Sequence, residues 1–194
     1  TRQLIGVRYL GAAAYWYSGN ILAPVKDSHL PRGEALFERA KAVAEVVARS
    51  CGLKGVNGVD FIAQNGVPFP IEVNPRYSAS LELVERAFGV SAFQLHVLGC
   101  RKKLPASLEI PRRFPATGKA IVYARRALMA GDTRRWLDDP SIADIPWPGE
   151  RIQPGHPICT VFASAPSAAE CELRLRARAE RVYAELTTST GRAA

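Results

Sequence analysis

Four side chains on one short stretch could do chemistry together: Asp60, Glu72, Asn74 and Arg76. Asp60 sits between Val59 and Phe61, and Glu72 sits between Ile71 and Val73. Acids inside apolar runs need a reason. Glu72 and Asn74 are two apart, so on a strand they share a face. They offer carboxylate and neutral amide oxygens, the hard donors that magnesium prefers. Asp60 could add a third oxygen from a neighbouring strand. Arg76 carries a planar fork suited to a carboxylate or a phosphoryl group. Such a set could neutralise and align phosphates in phosphoryl transfer. The plainer reading is a pair of ordinary salt bridges at a sheet end. Spacing alone leaves both open.

The elements that must position these groups form a hairpin. Residues 56–63 and 67–73 read as strands, and Asn65-Gly66 is a strong hairpin signal between them. Register decides the chemistry. A two-residue Asn-Gly loop pairs Gln64 with Val67 and puts Asp60 on the face opposite Glu72. A three-residue loop, Gln64-Asn65-Gly66, makes Glu72 the diagonal neighbour of Asp60 on one face. A shared metal therefore calls for the odd-length loop. Pro68 and Pro70 lack N–H donors on one edge of their strand, which should be weakly paired at its start. Pro75 keeps Asn74 extended and ends the strand.

Around the hairpin, Leu4–Tyr9, Gly11–Tyr17 and Asn20–Val25 read as strands, with Ser18-Gly19 as a turn. Leu36, Ala40, Val43 and Val47 mark one face of a helix from about Pro31 to Arg49, capped by Asp27 or Ser28 and stopping at Cys51-Gly52. His29, at its entrance, reads as a surface or capping residue. Ser78 or Ser80 opens a helix that ends near Gly89, and Ser91 opens another, to Gly99. His96 on the latter reads as a partly buried, satisfied histidine. Residues 101–115 are basic and contain three prolines, as a linker would. Then come a strand at 118–125, a helical turn at 132–137, a rigid loop at 144–149 and a strand at 158–163. A last helix has Ser167 with Glu170 as a capping box and Leu175, Ala179, Val182 and Leu186 as its buried stripe. The tail from Thr187 reads as loose. No repeat or low-complexity segment appears.

The 194 residues suffice for a sizeable core, and a 47% hydrophobic content is ordinary for a globular protein. No apolar run reaches a membrane span, and no secretory signal opens the chain. The four cysteines form no CxxC pair and read as reduced, mostly buried thiols of a cytoplasmic protein, without structural zinc. The formal charge of +8 comes from scattered basic residues with no aromatic platform among them. That favours solvated faces, or attraction of an anionic substrate, over nucleic acid.

Gly58-Val59-Asp60-Phe61-Ile62, the Asn-Gly turn and Ile71-Glu72-Val73-Asn74-Pro75-Arg76-Tyr77-Ser78-Ala79-Ser80, followed by a helix, resemble the end of an ATP-grasp domain. The Glu-x-Asn-Pro-Arg ending is similar to the carbamoyl-phosphate synthetase and biotin carboxylase branch and to predicted carboligases related to it. The resemblance covers about residues 1–100 and is most specific at 55–88. It implies ATP and Mg2+ (or Mn2+) as cofactors. Asp60, Glu72 and Asn74 would hold the metals, with Glu72 and Asn74 thereby binding the nucleotide. Arg76 would be catalytic, steadying a carboxylate or acyl phosphate. Asp60 is the more variable ligand of the set.

Gly118–Ala124, Asp144–Gly149 and Gly155–Val161 resemble, more weakly, the small domain that follows such units. There Lys119 and Arg125 read as solvated strand ends. The expected fold is α/β (α+β): the C-terminal lobe of an ATP-grasp domain, residues 1–104, with a mainly antiparallel sheet, then a small α+β domain, residues 105–194. The family's phosphate-binding lysines and glycine-rich loop have no counterpart here, so the resemblance implies a missing N-terminal lobe of the same protein and little activity in this chain alone. The implied reaction joins a small carboxylate, activated as an acyl phosphate, to an amine or other nucleophile. Bicarbonate activation, or a non-catalytic binding module, are the alternatives. A homodimer is compatible with all of them.

Overall fold

The computed structural model describes residues 1–27, 32–105, 111 and 113–189, the side chains of 187–189 excepted. The expected cap at Ser28, Pro31, His29, part of the 101–115 segment and the tail beyond 189 lie outside the described residues. In chain order the strands are β1 (Arg2–Ile5), β2 (Tyr17–Leu22), β3 (Gly58–Gln64), β4 (Val67–Asn74), β5 (Ala116–Tyr123), β6 (Leu128–Met129), β7 (Ile142–Ala143), β8 (Arg151–Ile152) and β9 (Pro157–Ala165). The helices are α1 (Gly33–Ser50), α2 (Leu81–Phe88), α3 (Ala92–Cys100) and α4 (Ala168–Ser189). This is the α+β class expected, and every strand pair is antiparallel.

The chain forms two compact units. One joins Thr1–Leu22 to Ala116–Ala194, and the other is Ala23–Pro115. The first 22 residues thus hydrogen-bond to strands that follow residue 115, and the units do not meet at 104/105.

In the discontinuous unit the sheet order is β1-β2-β5-β9-β7. Helix α4 lies on β5 and β9. Its stripe of Leu175, Ala179, Val182 and Leu186 is buried as the spacing predicted. Each leucine or valine contributes roughly 1.5–3 kcal/mol by leaving water. The capping box is only half formed. Ser167 Oγ accepts the Glu170 N–H at 3.3 Å, while the Glu170 carboxylate turns to Arg174, one helical turn on. Residues 187–189 continue this helix rather than fraying.

Three expectations near the start fail together. Ser18 and Gly19 lie inside β2, not in a turn, and residues 11–16 are not a strand. The strand expected to reach Tyr9 stops at Ile5 and gives way to a short 3-10 turn at Arg8–Leu10, closed by Gly11. Local composition favoured turn at Ser-Gly, but pairing on both sides holds β2 extended, with Gly19 opposite Leu4 and Ala120.

In the other unit, α1 lies over the β3–β4 hairpin. Leu36 is buried and Ala40, Val43 and Val47 are half-buried, the expected face. Arg39 Nη1 donates to the carbonyl of Gly66 at 2.9 Å and ties the helix to the hairpin turn. Helices α2 and α3 pack on each other, separated by Gly89 in the left-handed region and by the Ser91 cap, whose hydroxyl accepts the Gln94 N–H. His96 Nδ1 accepts the Val56 N–H at 3.2 Å, so this histidine is satisfied as expected.

Cys51 and Cys100 are exposed, whereas Cys159 and Cys171 are buried. Burial is the main cause that pushes the Cys159 thiol up to about 12 and the Cys171 thiol up to about 11. Labelling with a thiol reagent at neutral pH should therefore give two fast sites at Cys51 and Cys100, with the other pair reacting only on unfolding. Equal rates at all four would contradict the burial. No described helix is long and apolar enough to cross a membrane.

Candidate metal and phosphate site

The hairpin turn has two residues. Asn65 (φ 53°) and Gly66 (φ 76°) both take positive φ, and Gln64 pairs with Val67. This is the primed turn that suits right-twisted strands. The odd-length loop expected from sequence is not formed. In a regular ladder this register would send Asp60 and Glu72 to opposite faces.

The ladder is not regular. Phe61 pairs with Pro70, but Asp60 pairs with Glu72. Ile71 is the extra residue of a β-bulge. It shifts the register by one, so Asp60 faces Glu72 directly and their side chains share a side. Gly58 pairs with Asn74, two residues along, which places Asn74 on that side as well. The register puts the three oxygen donors on one side of the hairpin, by a device different from the expected one.

The prolines agree with this register. Counting from the closing pair of a two-residue turn, Pro68 and Pro70 occupy positions whose N–H would point away from β3. Their missing donors therefore leave β3–β4 pairing intact and blunt the outer edge of β4, which pairs with nothing else among the described residues.

Asn74 is 8% exposed, Asp60 is half-buried and Glu72 is exposed. Among the described residues neither acid has an ion-pair or hydrogen-bond partner. The salt-bridge reading thus loses its support there. Gly58 leaves room opposite Asn74; a Cβ there would sit 3.2 Å from Ser78 Oγ and 3.5 Å from Asn74 Cβ. Among the described residues no three His, Cys, Asp or Glu side chains cluster. The donor set is two carboxylates and an amide, and it fits magnesium, which leaves its other positions to phosphate oxygens and water.

Arg76 follows across a tight turn in which its N–H donates to the Asn74 carbonyl at 2.8 Å. Its Nη1 donates to the Tyr77 carbonyl at 3.1 Å, and the side chain is exposed. The Tyr77 hydroxyl donates to Glu85 Oε2 at 2.8 Å. Burial first, and that bond second, push the tyrosine up to about 12, so it stays a donor at neutral pH. Sequence reading missed the bulge, the gap at Gly58 and the Tyr77–Glu85 bond. Only the conflict between turn type and acid placement could have signalled the bulge.

Lys119 is not a solvated strand end, whereas Arg125, two residues past the end of β5, is exposed as expected. Lys119 is 8% exposed in the central strand β5. Arg125 donates to the Tyr9 carbonyl at 2.7 Å, pairs with Glu180 and lies 3.8 Å over the Tyr183 ring.

A family model described as an ATP-grasp domain matches residues 1–80. An uncharacterized protein of Methanocaldococcus jannaschii is 31% identical over 118 residues, which is 60% of this chain and 28% of that protein. The crystal structure of L-amino acid ligase from Bacillus licheniformis superposes with a TM-score of 0.63 at 18% identity, covering 85% of this chain and 43% of the ligase. That of carboxyaminoimidazole ribonucleotide synthase from Aspergillus clavatus, complexed with ATP, gives 0.58 at 18% identity, covering 85% and 43%. The chain is similar to the ATP-grasp domain over residues 1–80, less than half of its length, and resembles the two solved structures in fold. It spans less than half the length of each of these relatives.

Proposed function

We propose that the hairpin is the metal-binding part of an enzyme that uses ATP to activate a small carboxylate as an acyl phosphate. An amine or other nucleophile then attacks the acyl carbon, and phosphate leaves. Asp60, Glu72 and Asn74 would hold Mg2+, which when bound would neutralise the nucleotide phosphates. Arg76 would grip the carboxylate through its paired N–H groups and favour the extra negative charge as the acyl phosphate forms and breaks. The observation that carries this reading is the bulge at Ile71, which turns Glu72 to face Asp60. The likeness to an L-amino acid ligase supports an acid–amine reaction.

The test is an ADP- and phosphate-release screen of the whole protein against acid–amine pairs. ADP release that requires both acid and amine is expected. Arg76→Ala should then lower kcat/KM for the acid by about 100-fold. ADP release indifferent to the acid, or an Arg76→Ala enzyme with full acid kinetics, would contradict the assignment.

A further inference from the structure

A single carboxylate joins three segments beside Arg76. Glu85 lies in the last turn of α2. Its Oε2 accepts the Tyr77 hydroxyl at 2.8 Å, and its Oε1 accepts the backbone N–H of Ala92 at 2.8 Å. Ala92 is the first residue of α3, where free N–H groups and the helix dipole favour an anion. Both oxygens of Glu85 are therefore committed to holding structure. The neighbouring ion pair, Arg86 with Glu82, leaves Glu85 out.

Tyr77 is bound at both ends. Its ring end is held by Glu85, and its carbonyl accepts from Arg76 Nη1. Nothing in the order of residues requires this, because an exposed tyrosine on a loop could equally stay free. The ring is 46% exposed, so ring packing alone does not fix the loop. The turn after it is tied too, with Ser78 Oγ 3.2 Å from Ser80 Oγ and the Leu81 N–H on the Ser78 carbonyl.

We infer that Glu85 is a positioning residue: through Tyr77 it fixes the segment 75–77 and so aims the Arg76 guanidinium at the carboxylate substrate. The inference rests on the role proposed above for Arg76. It adds a determinant of acid binding that lies on a helix and touches no substrate. A loosened segment lets Arg76 sample orientations that do not meet the acid, which costs rate and acid affinity but not nucleotide affinity.

The experiment uses the whole protein with the acid–amine pair that gives the fastest ADP release. Tyr77→Phe keeps the ring and leaves the Glu85–Ala92 bond in place, so it removes the Tyr77–Glu85 bond alone. It should lower kcat/KM for the acid by about tenfold with KM for ATP and the melting temperature unchanged. Glu85→Gln, which can still accept from Ala92 and meet the Tyr77 hydroxyl, should retain most activity. On an Arg76→Ala background, Tyr77→Phe should add no further loss, because both act through one group. Full activity in Tyr77→Phe would overturn the inference. So would a loss that adds in full to that of Arg76→Ala, or one that merely follows a fall in melting temperature. Glu72→Gln in the same assay separates the two levels. If it is inactive while Tyr77→Phe is unaffected, only the positioning role fails; if Glu72→Gln is fully active, the underlying function fails.

Discussion

Glu72→Gln in the whole protein should lower ATP turnover by about 100-fold or more while leaving the fold untouched. Glu72 faces Asp60 across the bulge and is exposed. Glutamine keeps the size and one carbonyl oxygen but removes the charge. A bound cation would lose a hard anionic donor, and the phosphates would lose the neutralisation that depends on it. The side chain has no partner among the described residues, so its folding contribution is that of an ordinary surface position, within about 0.5 kcal/mol. Steady-state ADP release and a thermal melt together check this. Activity within about threefold of wild type would remove Glu72 from the metal set.

Gly19→Ala should cost more than about 3 kcal/mol and disrupt the five-stranded sheet. Gly19 sits in the middle of β2, with β1 on one side and β5 on the other. Its φ is +133°, and an added Cβ would lie 2.0 Å from the Lys119 carbonyl oxygen and 2.9 Å from Ala120 Cα. Both obstacles are backbone of a central strand that is paired again to β9. No rotamer can relieve them. For a chain of this size the loss should lower the melting temperature by roughly 10 °C. A melt within about 2 °C of wild type would mean that β2 and β5 do not pair in this register.

The helices were largely legible because their signals are local. Leu36 to Val47 and Leu175 to Leu186 repeat at helical spacing, and Gly52 and Gly89 stop the chain where a left-handed residue is needed. The hairpin was legible from Asn65-Gly66. What could not be read was non-local. Ser18-Gly19 has the composition of a turn, and only strands far along the chain make it extended. The bulge at Ile71 leaves no mark in residue type, since isoleucine suits a regular strand equally well. The candidate site was legible as a set of donors, but its geometry was not. Residue spacing points to a three-residue loop, whereas a one-residue irregularity in β4 supplies the same-face arrangement. Glu85 was invisible for a similar reason, because its two partners come from segments on either side of α2.

The most direct measurement is paramagnetic broadening of backbone amide signals by Mn2+ with ATP, in the nitrogen-15-labelled whole protein. Broadening should be strong at Asp60, Glu72 and Asn74 and weak at Asn65 and Gly66, about 15 Å along the hairpin at the strand rise per residue. Glu72→Gln should abolish it. Broadening that spares Asp60 and Glu72, or that is unchanged by Glu72→Gln, would contradict a metal held across the bulge.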